Sequence, residues 1–397
     1  MASESAQIYK KGRLAAHLFK SGNSLVFKYR EDYLKLGGTP IATTLPLTDL
    51  PLALPGGTSP AYFAGLLPEG RRLNAISSRL KTSTDNDLAL LLEIGQDLIG
   101  DVQVLPEGGK PELDRETLEL PKDTSNLNFT EIRDKFFGLK ASGIPGVQDK
   151  VSSKMLNVRS KSANNNYIVK FNPDEVPFAV ENEAFFLGLA KKCGLSISKY
   201  ELLTDSVGNH ALRLQRFDRN ATDFGATRLA VEDGCQAMNL YPSAKYNIDF
   251  VEMAQKLISL CPAKGAAGYA LFKQLVFAWL TGNGDAHAKN FSILETPSNE
   301  WVISPAYDLL CTAYYNQDRE MALSIDGEKS GWNRELLIKT AERLFVPQKA
   351  AVAVIDYQLT VLNDLASEIV DQVLPYNRHE NFDVSKLLKK RSRSLSI

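Results

Sequence analysis

The chain has 397 residues, 44 % hydrophobic and 23 % charged, with a formal net charge of −1. This is the profile of an ordinary soluble protein, long enough for two or three domains or for one kinase-sized fold with an addition, and able to bury a core without disulfide or metal staples. The balanced charge excludes long-range attraction of the whole chain to nucleic acid, so any such contact would have to be local. Cys193, Cys235, Cys261 and Cys311 lie far apart in apolar company and read as buried free thiols, usage that fits a reducing cytosol. Met1–Lys10 is polar and has no signal-peptide core, and no stretch reaches about 18 uninterrupted apolar residues. A cytoplasmic protein without membrane contact is therefore expected.

Short strands come first: Gln7–Tyr9, Arg13–Lys20 and Ser24–Tyr29, the last two joined by a Ser21-Gly22-Asn23 turn that accepts positive φ. A further element, Tyr33–Leu36, ends at Gly37-Gly38, and Leu50–Pro60 reads as a Pro/Gly loop. Helical patterns follow at about 60–80 and 85–94, the second capped by Ser83 or Thr84. Residues 1–106 thus form a β-rich unit, and 107–124 a polar linker. Strand patterns return at Lys154–Arg159 and Asn166–Phe171, then a helix at about Val180–Cys193, then strands Lys199–Leu203 and His210–Phe217. Beyond Asp218 the apolar spacing is 3.6 residues, in Phe250–Ile258, Tyr269–Leu280, Glu335–Phe345 and Ala350–Val373. The pattern predicts an α+β chain with a two-lobe, protein-kinase-like fold. A small sheet-containing lobe at 125–218 precedes an all-helical lobe at 219–385, with an extra β-rich unit in front and a basic tail at 386–397.

Asp285, His287, Lys289 and Asn290 fall within Asn283–Asn290, a loop that Gly282 and Gly284 place at a helix end, and Tyr307-Asp308 follows eighteen residues past Asn290. Phosphoryl transfer needs this set: an Asp to accept the substrate hydroxyl proton, a Lys to hold the moving phosphate, and Asn plus Asp for Mg²⁺. Asp285 and Asn290 have the Asp-x-x-x-x-Asn separation of protein kinases. A hairpin from Phe291–Leu294 to Trp301–Ser304 would return Asp308 beside Asn290, two oxygen ligands suited to a hard cation. Lys170 ends an apolar strand, where a kinase carries the Lys for the α/β-phosphates; a plain sheet-edge Lys is the alternative. Glu183 is its candidate partner and Glu181 the rival. Gly143 and Gly146 allow backbone N–H groups to cradle phosphates. The tail Lys386–Ser394 is strongly basic: a disordered solubilising end, or a phosphate-backbone contact on DNA.

Taken together, Gly146-Val147-Gln148-Asp149-Lys150, Ile168-Val169-Lys170, Glu181-Asn182-Glu183, Arg216-Phe217-Asp218-Arg219, Gly282–Ser292 and Tyr307-Asp308-Leu309-Leu310 resemble the HipA family of Ser/Thr kinase toxins of type II toxin–antitoxin systems. Leu67-Pro68-Glu69-Gly70 and Gly95–Asp101 resemble that family's N-terminal domain, so the similarity spans about residues 10–375. The resemblance implies an enzyme using ATP and Mg²⁺, with Asp285 as base, Asn290 and Asp308 on the metal, and Lys170 on ATP phosphates. Gly143, Gly146, Val147, Gln148 and Lys150 would line the phosphate loop, Gln215 and Phe217 the adenine hinge, and Asp218 would lie near the ribose. Lys289 counts with the catalytic residues. His287 is grouped with the nucleotide-binding ones, although a structural role is expected of it. Ser142 would be the autophosphorylation site, with Ser152 or Ser153 as alternatives because the loop is one residue longer than in some relatives. The implied substrate is an aminoacyl-tRNA synthetase. The implied partner is a HipB-like helix-turn-helix antitoxin that carries the pair to operator DNA. Gln215 stands where the family usually has Glu, and Gly284 replaces a commoner Thr, which should leave the catalytic groups intact. Two other readings stay open: a small-molecule kinase of the aminoglycoside phosphotransferase type, and a non-catalytic pseudokinase corepressor.

Overall fold

A computed structural model describes residues 5–111, 118–121, 123–137, 156–162, 165–173, 176–222, 225–316, 320–364 and 384–396. The N-terminal unit is a five-stranded antiparallel sheet, β1 (Ser5–Lys10), β2 (Arg13–Ser21), β3 (Ser24–Tyr29), β4 (Leu52–Pro55) and β5 (Val102–Pro106), in the order β4-β3-β2-β1-β5. Its helices are α1 (Glu31–Lys35), α2 (Ala61–Leu66), α3 (Gly70–Leu80) and α4 (Asp87–Ile94). Three expectations change here. Tyr33–Lys35 lies in helix α1 with Leu36 as its C-cap, the Pro/Gly loop contains strand β4, and the cap of α4 is Asn86, whose side chain accepts from the Ala89 amide. One face of the sheet buries Ile8, Leu18, Leu25 and Phe27 against Tyr62, Phe63 and Leu91, while β1 and β5 are buried on both faces.

The small lobe contains β6 (Leu118–Glu119), helix α5 (Phe129–Phe137), β7 (Leu156–Ser162), β8 (Asn165–Phe171), helix α6 (Ala179–Lys192), β9 (Tyr200–Thr204) and β10 (His210–Gln215). Its sheet runs β6-β7-β8-β10-β9. The expected linker therefore supplies an edge strand, β6, parallel to β7.

The large lobe is not all helical. Hairpin β11 (Arg219–Thr222) and β12 (Gly225–Arg228) opens it, and β13 (Val231–Asp233) joins a later hairpin in an antiparallel sheet. Helices α7 (Gly234–Ala237), α8 (Phe250–Leu260) and α9 (Lys264–Thr281) follow, then β14 (Ser292–Glu295) and β15 (Trp301–Ile303). Helices α10 (Ala313–Asn316), α11 (Arg334–Arg343), α12 (Gln348–Asp364) and α13 (Val384–Leu395) complete it. The β14–β15 hairpin falls where Phe291–Leu294 and Trp301–Ser304 predict one, whereas β11, β12 and β13 are too short to show a period of two. The basic tail is also more than a solvated end. α13 buries Leu387, Leu388, Arg391 and Leu395, and the Arg391 guanidinium lies 4.3 Å over the Trp279 ring while donating to the Trp279 carbonyl at 2.7 Å. The alternation of leucines among cations is an amphipathic helix with one buried charge satisfied by a ring face and a carbonyl. All four cysteines are free and buried. Among the described residues no helix is long and apolar enough to cross a membrane.

Candidate active site

Helix α9 ends at Gly282, φ +72°, a left-handed cap that turns the chain into the Asn283–Asn290 loop. The loop is tied down by its own polar groups. Asn283 Oδ1 accepts from the Asp285 amide at 3.2 Å, and Asn290 Oδ1 accepts from the His287 amide at 2.9 Å. Gly284 is closely packed here: a Cβ would sit 2.7 Å from the Glu320 carbonyl oxygen, so the Thr that the family commonly has at this position would not fit in this chain without movement. Asp285 accepts a hydrogen bond from the Tyr246 hydroxyl at 3.0 Å.

The hairpin β14–β15 pairs Ile293 with Ile303 and turns at Asn299, φ +61°. It returns Asp308 to Asn290, whose Nδ2 donates to Asp308 Oδ2 at 3.1 Å. Asp308 takes φ +57°, a conformation that Asp tolerates better than most residues. Lys170, on β8, donates to both Glu183 oxygens at 2.8 and 2.7 Å and to Asp308 Oδ1 at 3.0 Å. Glu181 is excluded as its partner because residues two apart on a helix point about 200° apart. Glu181 instead meets His210 Nδ1 and Asn172 Nδ2, each at 2.8 Å. Asn182 bonds the Cys311 amide and carbonyl at 3.0 and 3.3 Å, fastening α6 to the segment after Asp308.

Glu183, fully buried, and Asp308, partly buried, share one ammonium in this cluster, so with both ionised one negative charge is in surplus. Burial pushes the Glu183 carboxyl up to about 7 against the opposing pull of Lys170. Burial also acts against the Lys170 charge, but Asp308 and Glu183 outweigh it and keep the amine protonated. A divalent cation would relieve the surplus. The described residues contain no cluster of three or more His, Cys, Asp or Glu able to hold a metal alone. One carboxylate and one amide oxygen are donor types that suit Mg²⁺, which keeps the remainder of its shell in water and substrate phosphates; Asn290 now faces Asp308 with its Nδ2, so its amide has to turn to present the oxygen. The residues present thus fit a metal that arrives with a nucleotide.

Other expected site residues stand elsewhere. The Lys289 ammonium donates to the Gly65 carbonyl at 2.9 Å and lies 3.2 Å from Glu69 and 3.8 Å from Asp233, so it faces the N-terminal unit instead of standing ready for a phosphate. His287 is buried edge-on to Tyr246, centroids 5.1 Å apart, and its Nδ1 has no partner among the described residues. Burial and the nearby Lys245 lower its imidazole to about 3.

Phe217 packs on the Tyr307 ring at 5.7 Å, and the Gln215 amide donates to the Lys199 carbonyl at 2.8 Å. Asp218, expected near the ribose, is instead occupied by a latch to the N-terminal unit. Its carboxylate accepts from Arg216 Nε and a terminal nitrogen at 2.9 and 2.7 Å, from Arg219 at 2.7 Å and from the Gly100 amide at 2.8 Å. Burial opposes this charge, but Arg216 and Arg219 outweigh it and hold the Asp218 carboxyl down at about 2. Ser142, Gly143, Gly146, Val147, Gln148, Lys150, Ser152 and Ser153 lie outside the described residues.

Sequence reasoning missed Tyr246, Glu69 and Asp97. Tyr246 stands thirty-nine residues before Asp285 with no motif around it. Glu69 and Asp97 do lie in segments that resemble the family's N-terminal domain, but nothing in their spacing points to the kinase lobes.

Comparison with known proteins identifies the family. The HipA-like C-terminal domain family matches residues 142–371, and the HipA N-terminal domain family matches residues 6–105. The Ser/Thr-protein kinase toxin HipA of Shewanella oneidensis is 28 % identical over 78 % of this chain and 75 % of its own length. Y4dM of Sinorhizobium fredii, which carries the name of a kinase, is 28 % identical over 66 % of this chain, which spans 64 % of that protein. A solved structure, the Shewanella oneidensis HipA, HipB and operator DNA complex, aligns with a TM-score of 0.71 at 22 % identity, over 98 % of this chain and 97 % of its counterpart. With one matching family covering more than half of the sequence and a second covering most of the region before it, the chain belongs to the HipA family.

Proposed function

We propose that the chain is an ATP- and Mg²⁺-dependent Ser/Thr protein kinase that acts as a HipA-like toxin. The observation that carries this is the convergence of Lys170, Glu183, Asp308 and Asn290 beside a loop holding Asp285. Lys170, fixed by Glu183, orients the α/β-phosphates. Asn290 and Asp308 would hold Mg²⁺, which when bound would supply positive charge against the phosphates. Asp285, oriented by Tyr246, takes the hydroxyl proton as that oxygen bonds to the γ-phosphorus and the bond to ADP breaks. Catalysis then rests on positioning and charge, with no covalent enzyme intermediate. The loop with Gly143, Gly146, Val147, Gln148 and Lys150 would cover the phosphates, Gln215 and Phe217 would contact adenine, and Ser142 would be autophosphorylated.

The substrate proposed is a translation protein, an aminoacyl-tRNA synthetase, with growth arrest as the consequence. The partner proposed is a HipB-like helix-turn-helix antitoxin that brings the chain to operator DNA, on the strength of the Shewanella assembly. Asp285→Asn and Asp308→Asn should each abolish transfer from labelled ATP while leaving thermal unfolding within a few degrees of wild type. Undiminished autophosphorylation by either variant would refute the assignment. With cell lysate, one labelled protein band is expected; labelling of small molecules alone would favour the aminoglycoside-type reading instead.

A further inference from the structure

The Leu67-Pro68-Glu69-Gly70 turn between α2 and α3 reaches from the N-terminal unit to the catalytic loop. Gly70 has φ +55°, and Glu69 sits at the start of α3 with extended backbone. The Glu69 carboxylate meets two cations at once: Lys289 at 3.2 Å and Lys245 in a direct ion pair. Both cations are linked to the proposed base. Lys289 is four residues past Asp285 in the same loop. Lys245 accepts the Ala288 amide on its own carbonyl at 3.1 Å, and its neighbour Tyr246 donates to Asp285 at 3.0 Å. With Asp233 3.8 Å from Lys289, two carboxylates face two ammonium groups. The Gly65 carbonyl takes a further bond from Lys289 at 2.9 Å.

We propose that Glu69 is a positioning residue of the phosphotransfer site, supplied by the N-terminal unit, which brackets the catalytic loop through Lys289 on one side and Lys245 on the other. The proposal rests on the kinase reading above. Without the Glu69 charge, Lys245 loses its ion-pair partner, Lys289 keeps the more distant Asp233 and the Gly65 carbonyl, and the loop and the Tyr246 hydroxyl lose their common anchor. Misplacing a reacting group by about 1 Å costs on the order of 100-fold in rate. The loss should fall on the transfer step, because no described contact of Glu69 involves Lys170, Asp308 or the hinge.

The test uses the full chain: Glu69→Gln, Glu69→Asp, Lys289→Met and the double variant Glu69→Gln/Lys289→Met. Single-turnover autophosphorylation is measured at saturating ATP and Mg²⁺, with ATP affinity by calorimetry and unfolding by circular dichroism. Glu69→Gln should be slower by about tenfold or more with ATP affinity within about twofold of wild type, and the loss in the double variant should be well short of the product of the two single losses, because the two variants share the Lys289 arm. Should Glu69→Gln fail to fold, Glu69→Asp carries the same expectation. Wild-type speed in the folded Glu69 variant, or losses that multiply in the double variant, would overturn the proposal. A wild-type chain that transfers no phosphate would overturn the kinase reading and this proposal together.

Discussion

Asp97→Asn tests the latch that joins the N-terminal unit to the hinge. Asp97 accepts from Arg216 with both oxygens at 2.9 Å and from Arg219 at 2.7 Å, and lies 3.6 Å from Arg228. Arg216 and Arg219 also donate to the Leu98 carbonyl, each at 2.9 Å, and Arg228 to the Gln96 carbonyl at 2.9 Å. Three guanidiniums thus share two carboxylates, Asp97 and Asp218. Removing one partner of a fully buried pair costs roughly 3–5 kcal/mol, mostly as the penalty of the charge left behind. The Asp97 side chain is 29 % exposed and water screens part of its field, so about half of that, roughly 2 kcal/mol, is expected. The lost charge also leaves Arg216, beside Phe217, held by Asp218 and the Leu98 carbonyl alone, so ATP affinity should weaken several-fold. Urea unfolding followed by both circular dichroism and tryptophan fluorescence measures the first, because a chain of several units need not unfold in one step. Calorimetry measures the second. A stability within about 0.5 kcal/mol of wild type, the range of ordinary surface changes, would refute the latch.

Tyr246→Phe should lower the transfer rate by about tenfold, the order of one lost hydrogen bond to a charged group, with ATP affinity unchanged; stopped assays with labelled ATP decide it. His287 gives a pH dependence. Its folded value of about 3 lies below the ordinary 6.5, so below pH 6.5 the unfolded chain binds a proton that the folded one refuses, and stability falls with pH. From pH 6.5 to 5 the loss is up to about 2 kcal/mol, and His287→Phe should reduce the acid-side loss by that amount in urea titrations. Gly284→Thr should destabilise by roughly 1–3 kcal/mol through its clash with the Glu320 carbonyl, read as a lowered midpoint of thermal unfolding.

The sequence by itself determined much of the local structure. Strands β1 to β3, helices α6, α8 and α9, and the Asn283–Asn290 loop with Asp308 returning beside Asn290 follow from apolar period, Gly punctuation and hairpin length, all of which act between near neighbours. Short elements were lost, β11, β12 and β13 among them, because three or four residues cannot display a period. The helix of the basic tail was lost as well, since its cations outweigh four buried positions until Trp279 is in place to receive Arg391. Only the tertiary structure decided which of Glu181 and Glu183 meets Lys170, where Lys289 and Asp218 spend their charges, and that Tyr246 touches Asp285. Each of these is a buried charge or hydroxyl choosing among distant partners. The choice is set by which partner compensates desolvation at about 3 Å, a quantity that separation along the chain does not carry.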